Sequence, residues 1–219
     1  MAISEPSHPE RRPLTKGEEI FNSVTHGIGA LLSMAGLVLL IVVSVKQGTV
    51  WHVVGSGVFG SSLILLYTVS MLYHSITDPG LKRFFARLDH VAIFLLIAGT
   101  YTPFVLTTLR GALGWALFGV IWTLALIGVV IRAIYVHRFR KVMVMLYLLM
   151  GWLIVFAIVP LTKALPAISV RYLVAGGLCY TLGVPFYAWR NLKFSHGIWH
   201  LFVLAGSSFH FFAVLSSFA

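Results

Sequence analysis

GALGWALFGVIWTLALIGVVIRAI, residues 111–134, decides what kind of protein this chain can be. Its 24 residues carry a single charge, Arg132, close to the far end. As a helix the run is about 36 Å long, enough to cross a bilayer core of roughly 30 Å. Comparable runs recur along the chain, near 22–45, 50–74, 89–109, 142–160, 166–188 and 196–217. Together they predict an all-α polytopic membrane protein with seven transmembrane helices. A transmembrane barrel would instead show short segments of alternating polarity.

Composition agrees. Of 219 residues 59% are hydrophobic and only 10% charged, where a soluble domain carries about 25% charge. Mean hydropathy is +0.95. The opening MAISEPSHPERRPLTKGEE is polar and proline-containing, so residues 1–19 are expected to form a flexible tail and residues 20–219 a single membrane domain. The tail has no apolar segment followed by a small-residue cleavage site, so the first span is expected to serve as the insertion signal. A six-span count would need LTKALPAIS, residues 161–169, to be re-entrant; its polarity favours a connection between two full spans.

The net charge of +10 matters through its placement. Seven crossings put the termini on opposite sides. The tail and alternate connections hold Arg11, Arg12, Lys16, Lys82, Arg83, Arg87, Arg132, Arg138, Arg140, Lys141, Arg190 and Lys193. The other side holds only Lys46, Arg110, Lys163 and Arg171. Twelve against four predicts a cytoplasmic N-terminus and an outside C-terminus. No basic patch is interleaved with aromatic residues, so a nucleic-acid partner is not expected. Phosphate-loop, dinucleotide and G-x-S-x-G patterns are missing, so no nucleotide cofactor is expected either. The lone Cys179 excludes an intrachain disulfide and a cysteine metal cluster.

With that orientation, polar residues from three spans fall at one depth near the cytoplasmic surface. Ser70 and His74 share a face at the inner end of the second span. Asp89 and His90 open the third, and His196 and His200 of SHGIWH occupy the first turns of the seventh. Charge and imidazole are costly in lipid and should face the bundle interior. Three imidazoles, from His74, His196 and His200, form a donor set suited to catalytic zinc with one position left open. Iron or another borderline metal would also accept such a set. Zinc there would lower the pKa of water and make a nucleophile available. Asp89 would shuttle its proton, and Ser70 would donate to a carbonyl or developing anion. Alternatives stay open: His90 competes with His74, and His26 of NSVTHG offers support behind a ligand ring or a replacement ligand. His210, about 21 Å along the helix from His196, is too deep for the same shell. His8, His52 and His137 read as incidental. Small residues in GSGVFGSS, VAGG and LAGSS allow close helix approach without chemistry.

Four stretches, EEIFNSVTHGIGA (18–30), SMLYHS (70–75), RLDHVAIFLLIAGTYTPF (87–104) and HGIWHLFVLAGSSFHF (196–211), carry a family resemblance. In their order the chain resembles the haemolysin III family, the bacterial branch of the progestin and adipoQ receptor superfamily. That resemblance implies seven helices, an intracellular N-terminus and zinc near the cytoplasmic side of a bacterial cytoplasmic (inner) membrane. It gives the ligand positions to His74, His196 and His200, and matches Asp89 and Ser70 to the family's acidic and serine positions. It further implies a link to lipid amide hydrolysis and membrane lipid homeostasis. The expected activity is therefore a Zn2+-dependent intramembrane hydrolase cleaving an amide or ester in a lipid-like substrate. The other expectation is a zinc-stabilised sensor or signalling module without turnover. A pore has little support, since no polar stripe or repeated charged ring crosses the membrane.

Overall fold

The computed structural model describes residues 12–135, 139–189 and 191–218, with the backbone but not the side chain of Arg140. Residues 1–11 of the expected tail, with His8, and also Arg138, Arg190 and His137, lie outside the described residues. Among the described residues, seven helical spans are long and apolar enough to cross a membrane. The helices are α1 (Lys16–Gln47), α2 (Val50–Ser75), α3 (Pro79–Leu106), α4 (Ala112–Ile134), α5 (Arg140–Trp152), α6 (Ile158–Ala164), α7 (Ala167–Ala188) and α8 (Ser195–Ser216). A 3-10 segment, Leu153–Ala157, joins α5 to α6, and the three together make the fifth span.

Two helix starts differ from the sequence expectation, each through a local cap. The first helix begins at Lys16, so residues 16–19 belong to it rather than to the tail. Thr15 Oγ1 accepts from the Glu18 N–H at 3.3 Å, and Glu18 Oε2 accepts from the Thr15 N–H at 2.9 Å. This reciprocal capping box satisfies two otherwise unpaired donors. The third helix begins at Pro79 rather than near 89. Asp78 accepts from Leu81 N–H at 2.8 Å, and proline at the first helical position lacks only an N–H that would be unpaired anyway. Asp89 thus sits nearly three turns into α3.

The fifth span also departs from expectation. It does not stop at Pro160, which lies in the first turn of α6, where proline is tolerated. The break comes one turn earlier, and Tyr101 of α3 fills it. The Tyr101 hydroxyl accepts from the Ile154 N–H at 2.8 Å and lies 2.7 and 2.9 Å from the Met150 and Gly151 carbonyl oxygens. Irregular backbone at membrane depth is tolerable when protein groups satisfy it in this way.

Helices α1 to α4 pack consecutively, α7 packs on α8, and α8 returns to α1; α5 meets α3, α4 and α7. The most apolar window of α3 is 61% buried, against 17% for the fifth span and for α7. The core therefore centres on α3, while the fifth span and α7 are the least buried of the spans. Backbones come close where side chains are absent: a Cβ on Gly55 would stand 2.7 Å from Pro103 Cα, which cannot yield.

Replacing Tyr101 with Phe should leave the Ile154 N–H unpaired and cost about 1–3 kcal/mol. A lower denaturation midpoint of the purified chain, with the helix content of the native state unchanged, is the expected reading.

Candidate metal centre

The fold brings the three predicted imidazoles together at the end of the bundle where α1 begins. His74 sits in the last turn of α2, and His196 and His200 in the first two turns of α8. One ligand-capable atom from each lies within 4.8 Å of the others. Ring centroids are 5.1 Å apart for His74–His196 and His74–His200, and 4.6 Å for His196–His200. His74 and His200 are buried and His196 is half-buried. Four residues separate the α8 pair, so both rings leave the same helical face.

Outer contacts decide how His74 is turned. Its Nδ1 lies 2.6 Å from Glu19 Oε2, and the carboxylate can only accept, so Nδ1 carries the proton. Nε2 is buried and without a hydrogen-bond partner among the described residues. A carboxylate behind a histidine is the usual device for orienting a metal-ligating ring. Glu19 Oε1 in turn accepts from Lys82 Nζ at 2.9 Å, and Lys82 reaches the Tyr73 and Ile76 carbonyls at 3.2 and 3.3 Å. The first turns of α1 and α3 thus converge on the end of α2.

Close packing of α8 on α1 depends on Gly197, directly after His196. A Cβ there would overlap the Phe21 ring and stand 3.0 Å from Asn22 Oδ1. No larger residue fits without moving α8 away from His74. His26 stacks face to face on His200, with centroids 3.5 Å apart and an interplanar angle of 9°. It backs the His200 ring and stays outside the three-atom cluster.

The cluster opens onto a cavity of about 420 Å³ with mostly apolar walls. Ser70, Asp89, His90, His196 and His200 border it at this end, so Asp89 and His90 both reach it despite being neighbours. Neither joins the cluster. The Ser70 Oγ is buried without a hydrogen-bond partner among the described residues. His90 Nδ1 bonds the Ala86 carbonyl at 2.7 Å along its own helix. The cavity continues inward to His210, whose Nε2 lies 3.2 Å from the Leu173 carbonyl. Between the 3-10 segment and α7, Val155 and Val174 border the cavity and are also exposed on the outside of the bundle. His52 caps α2, its Nδ1 accepting from the Thr49 N–H at 3.1 Å, and its ring meets that of Phe218.

Sequence reasoning missed Glu19 and Lys82. The signal was present: Thr15-x-x-Glu18 is a capping-box spacing, and it puts Glu19 in a helical first turn rather than in a tail.

The profile of the family described as Haemolysin-III related matches residues 14–211. Over 198 residues the chain is 52% identical to "Hemolysin-3" of Bacillus cereus, covering 90% of each protein. It is 46% identical to the "Hemolysin-3 homolog" of Bacillus subtilis (strain 168), covering 90% of this chain and 93% of that protein. A more distant similarity, 26% over 203 residues, relates it to the human "Monocyte to macrophage differentiation factor", with 90% of this chain and 83% of that protein covered. With its seven spans and bacterial relatives, this is a multi-pass protein of the bacterial cytoplasmic (inner) membrane. The chain belongs to the haemolysin III family.

Proposed function

We propose that the chain is a zinc-dependent intramembrane hydrolase that cleaves an amide or ester in a lipid-like substrate and serves membrane lipid homeostasis. The carrying observation is buried His74, its Nδ1 against Glu19 and its Nε2 without a hydrogen-bond partner among the described residues, in a three-histidine cluster that opens onto an apolar cavity. In this reading His74, His196 and His200 hold the metal. An all-imidazole set suits zinc, and three protein donors with water in the fourth position would make a catalytic rather than a closed structural site. When bound, zinc supplies Lewis acidity that makes water a competent nucleophile near neutral pH.

The chain's own groups do the rest. An Asp89 carboxylate oxygen takes the proton released as the nucleophile forms and returns it to the departing amine or alcohol. Ser70 Oγ–H donates to the substrate carbonyl oxygen and to the charge that develops on it. Apolar walls take the acyl portion and exclude bulk water. Val155 and Val174, which line the cavity and are exposed on the outside of the bundle, mark the side from which a membrane-dissolved substrate would enter. The lysine and arginine bias puts the N-terminus, and the histidine cluster with it, on the cytoplasmic side.

Elemental mass spectrometry of the purified chain should find near-stoichiometric zinc, lost in folded His74→Ala and His200→Ala variants. Folded protein without metal, or zinc retained in both variants, would refute the ligand assignment. Glu19→Gln should keep the fold and weaken zinc binding about 10- to 100-fold in chelator competition. Asp89→Asn should retain zinc while hydrolysis of lipid amides and esters falls by a factor of about 10²–10⁴. A zinc-loaded wild type that turns over none of them would favour the sensor reading. For orientation, a Ser217→Cys variant in a Cys179→Ser background should react with membrane-impermeant maleimide added outside intact cells.

A further inference from the structure

The lead into α8 is unusual. Phe194 stands at its N-cap with φ 57° and ψ 11°, and no side chain caps the helix. That left-handed region disfavours residues with a Cβ and is normally left to glycine or asparagine. A phenylalanine side chain offers no local hydrogen bond in compensation. The compensation comes from α1: the Phe194 N–H donates to Glu18 Oε1 at 2.8 Å. The Phe194 ring meets the Phe21 ring edge-on, with centroids 5.7 Å apart at 80°.

Glu18 is well placed to hold it. Its side chain is only 2% exposed, although a capping-box glutamate needs no burial to do its local work. Oε2 accepts from the Thr15 N–H and Oγ1–H, both at 2.9 Å, and Arg12 approaches the two oxygens at 2.6 and 3.0 Å. The paired guanidinium lets the carboxylate remain ionised while buried. One carboxylate therefore joins the segment before α1, the first turn of α1 and the residue that launches α8.

His196 follows Phe194 by two residues and His200 by six, so the conformation of Phe194 sets how the first turns of α8 are rotated. Glu19 lies about 100° further round α1 and holds His74. Adjacent glutamates thus tie both halves of the cluster to the same helical turn. We infer that Glu18 is a positioning residue for the histidine cluster, fixing the left-handed Phe194 and thereby setting His196 and His200 against His74. Its consequence for metal rests on the zinc reading above.

The test uses the purified full-length chain with Glu18→Gln, and with Arg12→Met as the variant that leaves the carboxylate in place. Trp122→Phe, which removes the 3.2 Å bond from Trp122 Nε1 to Thr102 Oγ1 away from the histidines, serves as the reference for general destabilisation. Zinc affinity is measured by chelator competition, and amide exchange over residues 194–200 is followed in the metal-free protein. Glu18→Gln should weaken zinc binding about tenfold, Arg12→Met less and in the same direction, with exchange accelerated over 194–200 in both. Changes no larger than those in Trp122→Phe at equal thermal midpoint would overturn the inference. So would accelerated exchange with wild-type zinc affinity. Should the wild type bind no zinc, the metal reading falls, and exchange alone decides: faster exchange keeps Glu18 as the anchor of α8, and unchanged exchange removes it.

Discussion

The contact between Glu19 and His74 is the constraint around which this end of the bundle is arranged. With its side chain sealed from solvent, His74 must find partners for two nitrogens at the end of α2. Glu19 takes one at 2.6 Å, and the His74 ring lies beside those of His196 and His200, with centroids 5.1 Å from each. For that to happen α1 must already be helical at residue 19, which the Thr15–Glu18 capping box ensures. The Glu19 charge must also be met, and Lys82 meets it only because α3 starts as early as Pro79. Three helix ends are thereby coupled through one carboxylate.

The cavity beside the cluster depends on a different accommodation. A straight fifth span would pair its backbone internally; here the backbone breaks at Leu153–Ala157 and borrows the Tyr101 hydroxyl. The break lies along the cavity, where Val155 of that segment and Val174 of α7 both line the cavity and are exposed on the outside of the bundle. Polar groups cluster near the start of α1, and apolar walls extend inward from them.

Much of the architecture was legible in the residues. Seven apolar runs became seven spans because lipid offers the backbone no hydrogen bonds, so crossing segments must be long, apolar and helical. The convergence of His74, His196 and His200 was legible as well, since alternating helix directions put the end of α2 and the start of α8 at one depth. Boundaries were less so. Residues 16–19 read as tail because their composition is polar, whereas the capping box makes them helix. LKRFFARL, residues 81–88, read as connection because of its charges, whereas Asp78 and Pro79 start α3 before it.

The sequence by itself determined the number of crossings, the family and the set of imidazoles available, because these follow from hydrophobicity, spacing and residue type along one chain. Only the tertiary structure decided that Glu19 turns His74, that His26 stacks on His200 instead of joining the cluster, and that Glu18 meets the amide of Phe194. Those outcomes depend on how closely the helices approach and on the rotation of each helix about its axis. Such quantities are set by packing, by residues such as Gly197 and Gly55 that let backbones meet, and no periodicity in a single chain encodes them.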